Sequence, residues 1–93
     1  MIHETVTPLA PEEVVRRAKE FFLRRVPATG AFVETETARH LVLRGQGGEE
    51  LVIAAAPAEG GSAVRGSTLL FDQQVQRFFS TLPGGGRAAA EAR

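Results

Sequence analysis

The sequence predicts an α+β domain in which two amphipathic helices pack on one face of an antiparallel meander sheet. Two segments place their apolar residues at helical spacing, and four consecutive segments of strand character are joined by short, turn-rich connections. The predicted order of elements is therefore β-α-β-β-β-β-α. Strands joined by short connections usually pair as neighbours, and helices with a single apolar stripe must bury it against the sheet.

Length and composition favour one packed domain. Ninety-three residues suffice for a single core, and 43% hydrophobic with 24% charged residues is the balance of a globular protein. We assign residues 1–83 to this domain and residues 84–93 to a flexible tail rich in Gly and Ala. The absence of cysteine excludes disulfides and cysteine-bound zinc.

Charge and hydropathy narrow the predicted partners and location. Eleven basic and eleven acidic side chains cancel, which argues against nucleic acid as a partner, because such binding needs net positive potential. The N-terminus lacks the basic and long apolar regions of a signal peptide, and no apolar run is long enough to span a bilayer. We therefore expect a cytoplasmic protein.

The first strand and the first helix follow each other directly. Residues 2–7 alternate apolar and polar, as a half-buried strand does. Pro11 suits the first position of a helix, where Glu12 and Glu13 in the first turn complement the helix dipole. The apolar stripe then runs along one face through Val14, Val15, Ala18, Phe21 and Phe22. Pro27 is predicted to end this helix.

The central stretch of the predicted sheet is residues 49–56, which is apolar on both alternating sets of side chains. That pattern indicates a strand covered on two faces. Before it, residues 31–36 and 39–44 form two strands around a Thr37-Ala38 turn, so that Phe32 faces Leu43 and Val33 faces Val42. After it come a turn at residues 57–61 and a strand at residues 62–67.

A second helix is predicted from Thr68 or Leu69 to Leu82. Its apolar residues again recur at helical spacing, and Asp72 lies near its start. They are Phe71, Val75, Phe78, Phe79 and Leu82. The proline and glycines from Pro83 onward end the domain.

Two stretches resemble a known superfamily. The segment Thr5-Val6-Thr7-Pro8-Leu9-Ala10-Pro11-Glu12-Glu13-Val14-Val15 resembles the strand-to-helix entry of the helix-grip (START/Bet v 1-like) superfamily. The segment Gln73-Gln74-Val75-Gln76-Arg77-Phe78-Phe79 resembles the helix that closes such domains. The resemblance implies a curved sheet that grips a helix, with an apolar ligand held between them. The order of elements is also similar to one repeat of the TATA-binding-protein fold.

Candidate chemistry in the sequence is sparse. Glu34 and Glu36 lie two residues apart on a strand, with Glu4 as a potential neighbour, and paired carboxylates can share acid and base roles or bind a hard cation. A charged strand face is the simpler interpretation. His3 and His40 are the only histidines, and a catalytic zinc site would need a third ligand. We predict no catalytic residue, no metal site and no cofactor.

The most informative feature is the two-sided sheet. The predicted register places Val33, Val42, Leu51 and Ile53 on one side and Phe32, Leu41, Leu43, Val52 and Ala54 on the other. Two helices can cover only one face, so something else should cover the second.

The candidate interface or ligand face consists of Val33, His40, Val42, Leu51 and Ile53. We expect a non-enzymatic domain that associates, as a homodimer through its sheet or as a small subunit of a larger assembly. A module that binds an apolar small molecule or lipid is the alternative, and a small hydrolase or cyclase-like enzyme is the third.

Overall fold

The computed structural model describes residues 2–25, 32–45, 47–69 and 71–84. It confirms the α+β class and the order β-α-β-β-β-β-α. The strands are β1 (Ile2–Thr7), β2 (Phe32–Glu36), β3 (His40–Arg44), β4 (Glu50–Ala58) and β5 (Gly61–Thr68). The helices are α1 (Pro11–Glu20), which continues as a π-helical turn (Phe21–Arg25), and α2 (Asp72–Thr81). The predicted stop at Pro27 and the tail beyond Gly84 lie outside the described residues.

All five strands form one antiparallel sheet in the order β1-β5-β4-β3-β2. Strands β2 to β5 form the predicted meander, and β1 pairs with the free edge of β5. The first strand in the chain therefore closes one side of the sheet, and β2 forms the other edge. In this spatial order, β5 and β4 lie between β1 on one side and β3 on the other.

Both helices pack on the same face of the sheet. Helix α1 begins with Pro11 and carries Glu12 and Glu13 in its first turn, as predicted. The side chains that α1 buries include Val14 and Ala18, and Phe22 extends the apolar surface into the π-helical turn. The aromatic rings of Phe22 and Phe78 lie 5.7 Å apart between centroids and join the two helices.

Helix α2 begins later than the sequence suggested. The predicted start was Thr68 or Leu69, but Thr68 is the last residue of β5 and α2 begins at Asp72. The hydroxyl of Thr68 accepts a hydrogen bond from the backbone N–H of Phe71 over 3.1 Å. This contact ties the helix start to the strand end, and such local side-chain bonds compete with helical bonding.

The predicted register of the β2-β3 hairpin was wrong. The hydroxyl of Thr37 accepts hydrogen bonds from the N–H groups of Arg39 and His40, so the turn falls one residue later than Thr37-Ala38. A bulge between Val33 and Thr35 then shifts the pairing again.

As a result of these two shifts, Val33 pairs with Leu43 and Phe32 pairs with Arg44. Because side chains alternate between faces, the slip transfers residues to the opposite side of the sheet. The β3-β4 register also differs from the prediction: Val42 lies opposite Val52 rather than on the side of Leu51.

The turn predicted at residues 57–61 is shorter in the structure. Strand β4 continues through Pro57, which pairs with Ser62 in β5, and the connection narrows to Glu59 and Gly60. Gly60 adopts a φ of +78°, a left-handed conformation that glycine accepts without steric cost. The two central strands are therefore long, and β4 spans Glu50–Ala58.

The core lies between the helices and the inner face of the sheet. That face contributes the fully buried Leu41, Leu43, Leu51 and Ile53, together with Ala55 and Val64. At Gly66 the helix approaches the strand so closely that an added Cβ would lie 2.6 Å from Cγ1 of Val75. The layers are in direct contact at this point, with no space for another group.

Candidate functional site

The candidate site is the face of the sheet that the helices leave uncovered, called here the open face. The register assigns residues from all five strands to it. They are Ile2, Glu4 and Val6 of β1, Phe32 and Thr35 of β2, His40, Val42 and Arg44 of β3, Glu50, Val52, Ala54 and Ala56 of β4, and Ala63, Arg65 and Ser67 of β5. Ile2 is 56% exposed and Phe32 is 50% exposed, so large apolar side chains meet solvent here.

The open face is organised in rows that cross the strands. One row runs Ile2, Ser67, Val52, Val42 and Thr35, from β1 to β2. Valine and isoleucine supply three of its five side chains. This row is an apolar band across the whole sheet, interrupted only by hydroxyl groups.

A trough of about 580 Å³ lies beside this band. Its floor carries the methyl groups of Ala54, Ala56 and Ala63, and its rim includes Glu4 and Arg65. Val6, Arg39 and His40 also line it. The small side chains leave the backbone of β4 and β5 accessible, which creates the depression.

The charged groups on the open face are of both signs. Glu4 accepts two hydrogen bonds from Arg65, and both reach the same carboxylate oxygen, Oε2, over 3.4 and 3.1 Å. Arg39 lines the trough, and within the described part of the chain its side chain has no ion-pair partner. Among the described residues, a cation without a counter-ion and an acidic group with one unused oxygen therefore line the same trough, with β5 and β4 between them.

A second group of charges lies at the end of the open face near β2. Arg44 donates to both carboxylate oxygens of Glu34 over 2.7 and 3.0 Å and also reaches Glu50 over 3.1 Å. The hydrogen bonds from Arg44 lower the pKa of Glu34. The bidentate geometry fixes the guanidinium plane of Arg44 relative to the carboxylate plane of Glu34. This cluster therefore links the β2-β3 hairpin to β4.

The structure separates the five residues of the predicted interface. Leu51 and Ile53 lie in the core beneath the helices, and Val33 packs against that core while partly buried. His40 and Val42 lie on the open face. The sequence analysis predicted that the helices leave one face of the sheet uncovered. In the structure, that face carries Val42 and Val52.

The predicted carboxylate group is not assembled. Glu34 bonds Arg44, Glu36 pairs with Lys19 of α1 over 3.0 Å, and Glu4 pairs with Arg65. His3 bonds Asp72, away from His40 in the trough. Residues 2–25, 32–45, 47–69 and 71–84 contain no cluster of three or more His, Asp or Glu suited to a metal ion.

Sequence reasoning missed Arg39, Arg65 and the three alanines of the trough. Arg65 and Ala54 are eleven residues apart in the chain, and only the β4-β5 register makes them neighbours. The sequence does contain one feature that could have indicated the trough: the run of small residues at 54–56, with Ala63 across the turn. Two facing strands with small side chains indicate a close approach by another group.

None of the described helices combines the length and the apolar character needed to cross a bilayer. No protein-family model matches this chain, and no curated protein shows a significant match to it.

Proposed function

We propose that this chain functions by association, as a homodimer that buries the open face of its sheet against the same face of a second copy. The observation that carries the proposal is the apolar band with its adjacent trough. Ile2, Val52 and Val42 lie in one row, with Ser67 between Ile2 and Val52, on a face that no described helix covers. Exposed apolar strips of this kind mark interaction sites in soluble proteins.

The composition of the face favours a second copy as its occupant. The open face has an apolar centre and charges of both signs, from Glu4 to Arg39 and Arg65. A surface with both signs can match itself after a two-fold rotation, and such isologous pairs are the commonest oligomers. Two sheets packed in this way lie about 10 Å apart, close enough for facing side chains to interdigitate.

The size of the face predicts a weak, reversible dimer. Five strands about 4.8 Å apart, with about five residues of 3.3 Å each, give a face of roughly 24 Å by 17 Å. Even with the relief of the side chains, this lies at or below the roughly 800 Å² that each partner buries in a standard interface. We therefore expect association that depends strongly on concentration.

Sedimentation velocity over a wide range of concentration tests this proposal. The wild-type mass should rise towards that of a dimer, whereas Val42→Glu should remain a folded monomer because it places a charge in the apolar band. Gln76→Glu, on the exposed side of α2, is the matched control and should still dimerise. A wild type that stays monomeric at the highest concentration would contradict the proposal.

Binding of an apolar small molecule is the second candidate function. The trough volume of about 580 Å³ lies within the roughly 300–1,000 Å³ typical of ligand sites. The close contact at Gly66 disfavours a ligand between the helices and the sheet at that point and favours the trough instead. Organic extraction of the purified protein should then release a stoichiometric compound, and the extracted protein should melt at a lower temperature.

A further inference from the structure

We infer, resting on the proposed homodimer, that the two copies meet about a two-fold axis that runs along the strands over the line between β4 and β5. This arrangement brings Glu4 of each copy against Arg39 and His40 of the partner subunit. The two symmetric contacts then lie at the two outer edges of the interface. This axis fixes the orientation of the second copy, which homodimer formation alone leaves open.

The charged row of the open face defines this orientation. Glu4, Arg65, Ala54 and His40 lie side by side on β1, β5, β4 and β3. A two-fold axis parallel to the strands and central to these four reverses their order in the facing sheet. Glu4 then lies opposite His40 of the partner subunit, and Arg65 lies opposite Ala54 of the partner subunit.

Each of these facing pairs is chemically favourable. Glu4 bonds Arg65 through Oε2 alone, so its other carboxylate oxygen can accept from a cation across the interface. Arg39 is such a cation, and it lines the same end of the trough as His40. The long stem of Arg65 meets the small side chain of Ala54 in the facing sheet, and an arginine stem packs well on apolar surface.

The same axis also gives suitable facing side chains in the neighbouring row. Ile2, Ser67, Val52 and Val42 occupy β1, β5, β4 and β3 in one row. Reversal places Ile2 opposite Val42 of the partner subunit and Ser67 opposite Val52 of the partner subunit. The largest exposed aliphatic side chain of this row therefore meets another aliphatic side chain, which is the pairing that apolar burial requires.

Other axes bring like charges together. An axis perpendicular to the strands and through this row places Glu4 against Glu4 and Arg65 against Arg65. An axis directly over β5 also opposes the two Arg65 side chains. Like-charge contacts across an interface are strongly unfavourable. Aligned sheets cross at about 30°, which tilts the axis by about half that angle from the strands of each sheet.

A charge-exchange experiment tests the orientation. Glu4→Arg and the double substitution Arg39→Glu/His40→Glu each create two like-charge contacts in their own homodimer. Each should weaken self-association by about tenfold or more. An equimolar mixture should recover wild-type affinity as a heterodimer, because one contact is then reversed in sign and the other is native. Sedimentation velocity with one variant fluorescently labelled reads out the mixture.

The controls separate this inference from the proposed function. Glu12→Arg on α1 makes the same charge change away from the open face and should dimerise as wild type does. Thermal melting should show both interface variants folded; if the double variant is not, Arg39→Glu alone replaces it. A wild-type dimer with unaffected variants, or with folded variants that do not recover on mixing, would overturn the orientation alone. A monomeric wild type would overturn both.

Discussion

Nε2 of His3 donates a hydrogen bond to Oδ1 of Asp72 over 2.6 Å and joins the first strand to the first residue of α2. The residues are 69 positions apart, so the contact links the two ends of the described chain. The imidazole side chain is 13% exposed and the carboxylate is 35% exposed. Asp72 also lies at a helix N-terminus, where a negative charge is stabilised by the helix dipole.

This contact predicts a specific acid dependence of stability. The hydrogen bond from His3 is the main cause that lowers the pKa of Asp72. A carboxyl group with a lowered folded-state pKa stabilises the fold above its unfolded pKa of about 3.9 and loses that contribution as the pH falls through the folded value. Asp72→Asn should therefore be less stable than wild type at neutral pH and approach it in strong acid.

Urea unfolding at a series of pH values measures this convergence. Val75→Ala is the matched control, since it removes buried volume and no charge, and its deficit should stay constant across the series. A deficit for Asp72→Asn that is equally constant would show that the ionised carboxylate contributes nothing through its hydrogen bond with His3.

The aromatic contact between the helices predicts large losses on truncation. Phe22 and Phe78 are 1% and 0% exposed, so Phe22→Ala and Phe78→Ala should each cost about 3–5 kcal/mol. That is a large part of the roughly 5–15 kcal/mol by which domains are stable. Gln76→Ala, on the exposed side of α2, should change stability by less than about 0.5 kcal/mol. Equal losses at Gln76 and Phe78 in urea melts would contradict the helix orientation.

The helices and the core were predictable because they depend on a repeating pattern. Phe22, Val75 and Phe78 each lie on a stripe whose helical spacing is visible in the sequence, and all three are buried. Burial of a stripe depends on its spacing and not on the identity of its partner. Element order followed from the same patterns together with the short connections.

The open face was only partly predictable because it depends on register. The hydroxyl of Thr37 places the turn, and the bulge after Val33 shifts the pairing; neither leaves a signal in hydrophobic alternation. Alternation does not fix the β3-β4 register either, which sets Val42 opposite Val52. The sequence therefore indicated that one face needed a cover but assigned Val42 to the wrong set of neighbours. The row from Glu4 to His40 exists only once three registers are known.

The Arg44 cluster predicts a local rather than a global effect. Arg44 donates to Glu34, Glu50 and the carbonyl oxygen of Gly48, all at exposed positions. Arg44→Lys keeps the charge but loses the planar fork that binds two oxygens. We expect only a small global loss of stability, as for exposed ion pairs. The amides of β2 should nevertheless exchange faster with deuterium.

Hydrogen exchange followed by NMR measures that difference strand by strand. Arg65→Lys is the comparison, since Arg65 bonds Glu4 between β5 and β1, and it should leave β2 protected as in the wild type. Faster exchange throughout the sheet in Arg44→Lys would instead show that the cluster supports the whole fold.

The contact between Gly66 and Val75 predicts a strong coupling between two substitutions. A Cβ at position 66 would lie 2.6 Å from Cγ1 of Val75 and 3.3 Å from Cδ1 of Ile53, so Gly66→Ala requires the Val75 side chain, or α2 with it, to shift. Overpacking of this kind typically costs about 1–3 kcal/mol. Val75→Ala alone should also destabilise, because it leaves a cavity at a fully buried site.

Combined, the two substitutions should partly compensate, because the methyl group at position 66 occupies space that Val75 vacates. We expect the double variant to be more stable than the sum of the single losses predicts, by about 1 kcal/mol or more. A full double-mutant cycle by urea unfolding measures this difference. Additive losses would mean that the layers can separate at this point at little cost, and a small molecule held between helices and sheet would then again be compatible with the fold.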